Sequence, residues 1–135
     1  MVVIDADNCI AGRLASSLAK RLLKGESIQV VNAEKSVMSG NPKANLEFFR
    51  EKIGKGDPYH GPFYPKHADR ILRRMVRGML PYHKPKGRNA YRRLKVYISV
   101  PDELKGLKPE VLEKTVNRLD SKYTTLGKLT ERLGG

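Results

Sequence analysis

Apolar positions along this chain switch between two spacings. "VVIDA" at residues 2–6 is a short run rich in β-branched side chains, which predicts a buried strand. From about Arg13 the spacing becomes helical. Leu14, Ala15, Leu18, Ala19, Leu22 and Leu23 project onto one half of a helix, with Arg13, Ser16, Ser17, Lys20, Arg21 and Lys24 on the other. Gly25 stands where a helix C-terminus calls for a left-handed residue. "SIQVVNA" at 27–33 then predicts a second strand. Strand, helix and strand in this order make a βαβ unit, and hence parallel strands joined by a right-handed crossover.

The pattern continues with a helix opening at "NPKANLEFFREKIG". Asn41 is its cap, Pro42 its first residue, and Leu46, Phe49 and Ile53 its apolar stripe. "GKGDPYHGPFYP" at 54–65 predicts a long loop. A third helix is predicted over about 67–77. Arg70, Arg73, Arg74 and Arg77 share one side, opposite Ile71, Leu72, Met75, Val76 and Met79. "GMLPYHKPKGRN" predicts a break at Gly78 and Pro81 and a Pro/Gly loop carrying His83, Lys84, Lys86 and Arg88. "LKVYISV" at 94–100 predicts a third strand, stopped by Pro101. Pro109 predicts the start of a helix carrying Val111, Leu112 and Val116, and a last helix is predicted around 126–133. A fourth strand is expected, with residues 122–124 as its candidate.

The 135 residues predict one domain, with 39% hydrophobic and 30% charged residues. No apolar run reaches the ~18 residues of a membrane span. "MVVIDADNC" does not read as a secretory signal, so the protein is expected to stay where it is made. Cys9 is the lone cysteine and reads as packing.

Charge changes the picture more. The chain has net charge +13, and residues 66–95 hold 11 of its 27 basic residues but only one of its 14 acidic ones, Asp69. A charge run is ordinarily a solvated face. Here internal ion pairs cannot account for it, and arginine, whose planar fork grips phosphate bidentately, outnumbers lysine. The segment therefore predicts a polyanion-binding surface made of Lys66, Arg70, Arg73, Arg74, Arg77, His83, Lys84, Lys86, Arg88, Arg92, Arg93 and Lys95. Tyr82 and Tyr91 are placed either to stack on unpaired bases or to pack. An all-arginine stripe suits backbone phosphates rather than base edges. With a proline-stiffened loop beside it, folded RNA is the better partner than duplex DNA. A membrane surface would want a helix with Trp, Phe or Leu opposite the basic face, and the chain has no Trp.

Catalytic readings fare worse. "ADNCIAGRLAS" lacks the G-x-G-x-x-G fingerprint, and no G-x-x-x-x-G-K-[ST] occurs. His60, His67 and His83 have no metal-ligand spacing with one another or with Cys9. Asp5 and Asp7 sit at a strand end, where a turn role is the commoner one. No enzyme, cofactor, metal or small-molecule substrate is expected.

"RGMLPYHKPKGRNAYRRLKVYISVP" resembles the signature region of the L thirteen family of large-subunit ribosomal proteins. "VIDADNCIAGRLASSLAKRLLKG" and "IQVVNAEKSVMSGN" resemble its N-terminal strand-helix-strand, and "GPFYPKHADRILRRMVRGMLP" its archaeal and eukaryotic branch. The chain has neither the long C-terminal extension of eukaryotic members nor the His-Pro-His ending of bacterial ones, so the archaeal type fits. The resemblance implies an α/β fold, a three-layer α/β/α domain with a small, mostly parallel sheet of about four strands. It implies a structural protein, monomeric within the cytoplasmic ribosome, that binds large-subunit ribosomal RNA, supports assembly and touches neighbouring ribosomal proteins. The signature falls on residues 77–100, and within it Met79 and Leu80 are expected to pack. A regulatory RNA-binding protein acting off the ribosome is the alternative, ahead of an RNA- or nucleotide-processing α/β enzyme.

Overall fold

The computed structural model describes residues 2–54, 67–112 and 123–133. In chain order the elements are β1 (Val2–Asp5), α1 (Ala11–Leu23), β2 (Ile28–Val31), β3 (Val37–Ser39), α2 (Pro42–Gly54), α3 (Ala68–Gly78), α4 (Pro85–Arg92), β4 (Leu94–Val96), β5 (Tyr123–Thr125) and α5 (Leu126–Leu133). Short 3₁₀ turns occupy Ala33–Lys35 and Asp102–Leu104. The α/β class with a mostly parallel sheet is the fold observed.

β1, β2 and β4 form the parallel sheet in that spatial order, with Val2 opposite Ile28 and Ile28 opposite Leu94. Each crossover steps the same way across the sheet. Right-handed connections therefore place α1 and the α3–α4 pair on one face. That face carries Ile4, Ile28, Val30 and Leu94, buried against Leu14, Leu18 and Leu22 of α1, Ile71, Leu72 and Val76 of α3, and Leu126 and Leu129 of α5. The opposite face holds a smaller cluster, in which Val3 and Val31 meet Leu104 beside Tyr97 and Val100.

Among the described residues the parallel sheet has three strands, where about four are expected. The strand expected at 122–124 appears one residue later as β5, but it pairs antiparallel with β3 in a ladder of its own. The third strand is shorter than expected. Ser99 adopts a left-handed backbone (φ 58°), and its N–H is held by the Glu34 carboxylate at 2.8 Å, which turns the chain off the sheet. No helix starts at Pro109. Glu110 is extended and bridges to Ile4 in parallel, with N–H donation from Asp5 to its carbonyl (3.0 Å) and from its own N–H to Val3 (2.8 Å). Open backbone groups on the free edge of β1 outweigh the local helical preference. Val111 and Leu112 follow without helix, and Val116 lies outside the described residues, as does the expected loop after Gly54.

The largest departure concerns the expected Pro/Gly loop. Residues 85–92 form α4, with Pro85 at its first turn, where a missing N–H costs nothing. Gly87 is buried in it. A Cβ there would run into the Pro81 carbonyl and lie 2.9 Å from the Tyr82 nitrogen. The glycine therefore lets the helix backbone settle directly on the Pro81 turn, rather than loosening the segment. Met79, expected to pack, is 45% exposed, whereas Leu80 is buried.

Candidate nucleic-acid interface

α3 is amphipathic as its spacing predicts, with Ala68, Ile71, Leu72 and Val76 buried. Its four arginines divide into two kinds. Arg70 and Arg74 are exposed, and Arg73 and Arg77 are half-buried. The turn at Pro81 and the docking of α4 bring two tyrosines beneath the second kind. The Arg73 guanidinium lies 4.2 Å from the centre of the Tyr91 ring, and that of Arg77 lies 4.0 Å from the Tyr82 ring. The two rings meet edge-on at 5.6 Å. The result is a continuous ladder, Arg73–Tyr91–Tyr82–Arg77, linking α3, the turn and α4. Each guanidinium is held against a ring face, where the ring quadrupole attracts the cation. Both tyrosines thus already carry a protein partner.

The remaining cations surround this ladder. Arg70 and Arg73 face Lys95, Val96 and Tyr97 across a groove of about 350 Å³ between the start of α3 and the edge strand β4. The Nε of Arg73 is buried with no hydrogen-bond partner. His83 and Lys84 are exposed ahead of α4, and Lys86, Arg88 and Arg92 are exposed on it. Arg88 donates weakly to the His83 carbonyl at 3.4 Å. The ion pairs of the described residues join Arg21 to Glu26 and Glu110, and Lys105 to Asp102. None uses a cation of the 67–95 segment, and Asp69, which lines the groove with Arg70, Arg73 and Lys95, is the one acid that segment contains.

Two candidates stand apart. Lys66 lies outside the described residues. Arg93 is half-buried, and its Nη2 donates to the Leu22 carbonyl at 2.6 Å, closing the C-terminus of α1. Its role is to tie the basic segment to the core.

The catalytic alternatives gain no geometry. Asp5 Oδ1 accepts from the Asp7 N–H at 2.9 Å and from Asn32 Nδ2 at 3.0 Å, which is turn chemistry. Among the described residues there is no cluster of metal-ligating side chains, and no helix is long and apolar enough to cross a membrane. Cys9 is buried.

Sequence reasoning missed the pairing of arginine with tyrosine, because the partners sit on different elements and share no spacing. It also passed over Phe48, which does have a signal. Adjacent aromatics on a helix point about 100° apart, so Phe48 and Phe49 cannot both join the core. Phe49 is buried and Phe48 is 52% exposed.

The family model for "Ribosomal protein L13" matches residues 1–103. The chain is 49% identical to "Large ribosomal subunit protein uL13" of Methanopyrus kandleri over 98% of its own length and 86% of the relative's. It is 48% identical to the protein of the same name from Archaeoglobus fulgidus, with the same coverage of both chains. The Methanosarcina barkeri protein of that name is 48% identical over 99% of this chain and 98% of its own.

Proposed function

This chain belongs to the ribosomal protein L13 family, and from that membership we propose that it is a structural constituent of the large ribosomal subunit, held there by large-subunit ribosomal RNA. It is not an enzyme. The observation that carries the RNA-binding assignment is the strongly cationic surface built around the Arg73–Tyr91–Tyr82–Arg77 ladder. A surface of this kind needs a partner of repeating negative charge, and ribosomal RNA supplies one.

In the proposed mode, the chain acts as one domain that presents α3 and α4 to folded RNA. Arg73 and Arg77, pre-set by their rings, take phosphate oxygens through paired N–H groups. Arg70, Arg74, His83, Lys84, Lys86, Arg88, Arg92 and Lys95 add charge around them, with Lys66 beside them in sequence. Tyr82 and Tyr91 serve as supports for guanidinium groups rather than as platforms for bases. The protein works as a monomer beside other ribosomal proteins in the cytoplasmic ribosome.

The test is a double reversal, Arg70→Glu with Arg74→Glu, at two exposed positions where folding is unaffected. Filter binding to deproteinised large-subunit ribosomal RNA is measured across a salt series. Losing two phosphate contacts should flatten the log–log salt slope by about 1.5–2 and weaken binding at every salt concentration. Sucrose-gradient sedimentation of tagged protein should show the wild type with large subunits and the variant displaced toward the top. An unchanged slope and unchanged sedimentation would refute the assignment.

A further inference from the structure

A groove of about 560 Å³ lies between α2 and the C-terminal half of α3, outside the arginine ladder but sharing residues with it. Phe48, Met79 and Tyr82 supply its apolar surface, and Lys52, Arg74 and Arg77 stand among them. Its size falls in the range of ~300–1,000 Å³ typical of small-ligand sites. Phe48 stands upright on Phe49, with ring centres 5.4 Å apart and planes at 86°. The Lys52 ammonium lies 4.7 Å from the Phe48 ring centre.

We propose that this groove seats one unstacked nucleotide of the bound ribosomal RNA, with its base against Phe48 and Met79 and its phosphate among Arg74, Arg77 and Lys52. The inference rests on the RNA-binding reading above and adds a base-contacting subsite to it. The chemistry selects the occupant. An apolar segment of a protein neighbour would cover Phe48 and Met79 but would strip water from Arg74 and Arg77 without offering a countercharge, which is costly. A nucleotide brings a flat apolar face and an anion together. Continuity favours it as well, since Arg77 and Tyr82 belong both to the groove and to the phosphate-gripping ladder, so RNA on the ladder already runs past the groove mouth.

Phe48→Ala provides the test because it removes an exposed ring and no charge. Binding to deproteinised large-subunit ribosomal RNA is measured across a salt series, with thermal unfolding to confirm that the fold is kept. Affinity should fall on the order of 5- to 150-fold, the size of one lost base–aromatic stack, while the salt slope stays at the wild-type value. Phe48→Tyr, which keeps a π-face, should restore binding, and Phe48→Leu should not. RNA carrying 5-iodouracil should photocrosslink to the peptide containing Phe48. Wild-type affinity in Phe48→Ala, with the Arg70/Arg74 reversal still weakening binding, would overturn this inference and leave the RNA-binding reading standing. A changed salt slope in Phe48→Ala would also overturn it, by assigning the ring to cation placement. So would a variant that binds naked RNA normally but is lost from assembled subunits, which would assign the groove to a protein neighbour.

Discussion

Replacing each stacked arginine by lysine separates charge from planarity, and the two positions should answer differently. Arg77→Lys keeps the charge but gives up the guanidinium face lying 4.0 Å from Tyr82. A partly desolvated cation–π contact contributes about 0.5–2 kcal/mol, and a half-buried site belongs near 1 kcal/mol. For a domain of this size that is a fall of about 3–5 °C in the thermal midpoint. Arg73→Lys loses an equivalent contact at 4.2 Å from Tyr91. It also removes a buried Nε–H that has no hydrogen-bond partner in the free protein, a defect costing ~1–3 kcal/mol. The second effect is at least as large as the first. The free Arg73→Lys protein should therefore match or slightly exceed the wild-type midpoint, while Arg77→Lys drops below it. Binding to ribosomal RNA should instead rank both variants below the wild type. Both variants keep the wild-type salt slope, since no charge is lost, yet both bind more weakly because a single ammonium cannot fork onto a phosphate. The measurements are thermal unfolding by circular dichroism and a salt-resolved binding series. A midpoint for Arg73→Lys as low as that of Arg77→Lys would refute the claim that the unpaired Nε is a stability defect carried for binding.

Gly87→Ala should destabilise the domain by about 1–3 kcal/mol in urea unfolding, because its methyl group would overlap the Pro81 carbonyl and force α4 off the turn. Arg93→Met loses the bond to the Leu22 carbonyl, worth ~1–2 kcal/mol, but also removes a buried Nε–H that has no partner, so the midpoint should change little and the RNA salt slope should stay unchanged; a flattened slope would make Arg93 a phosphate contact instead. Hydrogen bonding from Arg21 holds the Glu26 carboxyl below its ordinary 4.5, against a smaller opposing effect of desolvation. Its stabilisation is therefore complete above that value and is lost as pH falls through the lower native one. Midpoints of wild type and Glu26→Gln should differ near neutrality and converge in acid, and a constant gap down to the acid limit would contradict the pairing.

The parts of this fold that were legible in the sequence share a cause. In α1 and α3 the buried face repeats over successive turns, so Leu14, Leu18 and Leu22, or Ile71, Leu72 and Val76, declare themselves without tertiary context. β3 is only three residues long, too short to show a period, and it exists because Ile10 and β5 offer it backbone partners from afar. α4 was hidden for a different reason. Pro81, Pro85 and Gly87 read as loop punctuation, but one proline starts the helix and the glycine answers to a neighbour six residues back. Composition pointed to the cationic segment because charge density needs no fold to be counted. It could not distinguish Arg93, bonded to the core, from Arg92 beside it, which is exposed, because that difference lies in which carbonyl happens to be within reach.

The way α4 is fastened has a thermodynamic consequence. One end is seated on the Pro81 turn by the only side chain small enough to fit, and the other is anchored through Arg93 to the end of α1. Such a helix has little freedom left to surrender. Association with RNA then gives up water and ions more than chain entropy, and calorimetry should return a modest heat-capacity change where a segment that folds on docking would give a large one. Amide protons of residues 88–91 should exchange slowly before any RNA is present, at rates set by global unfolding rather than by local fraying.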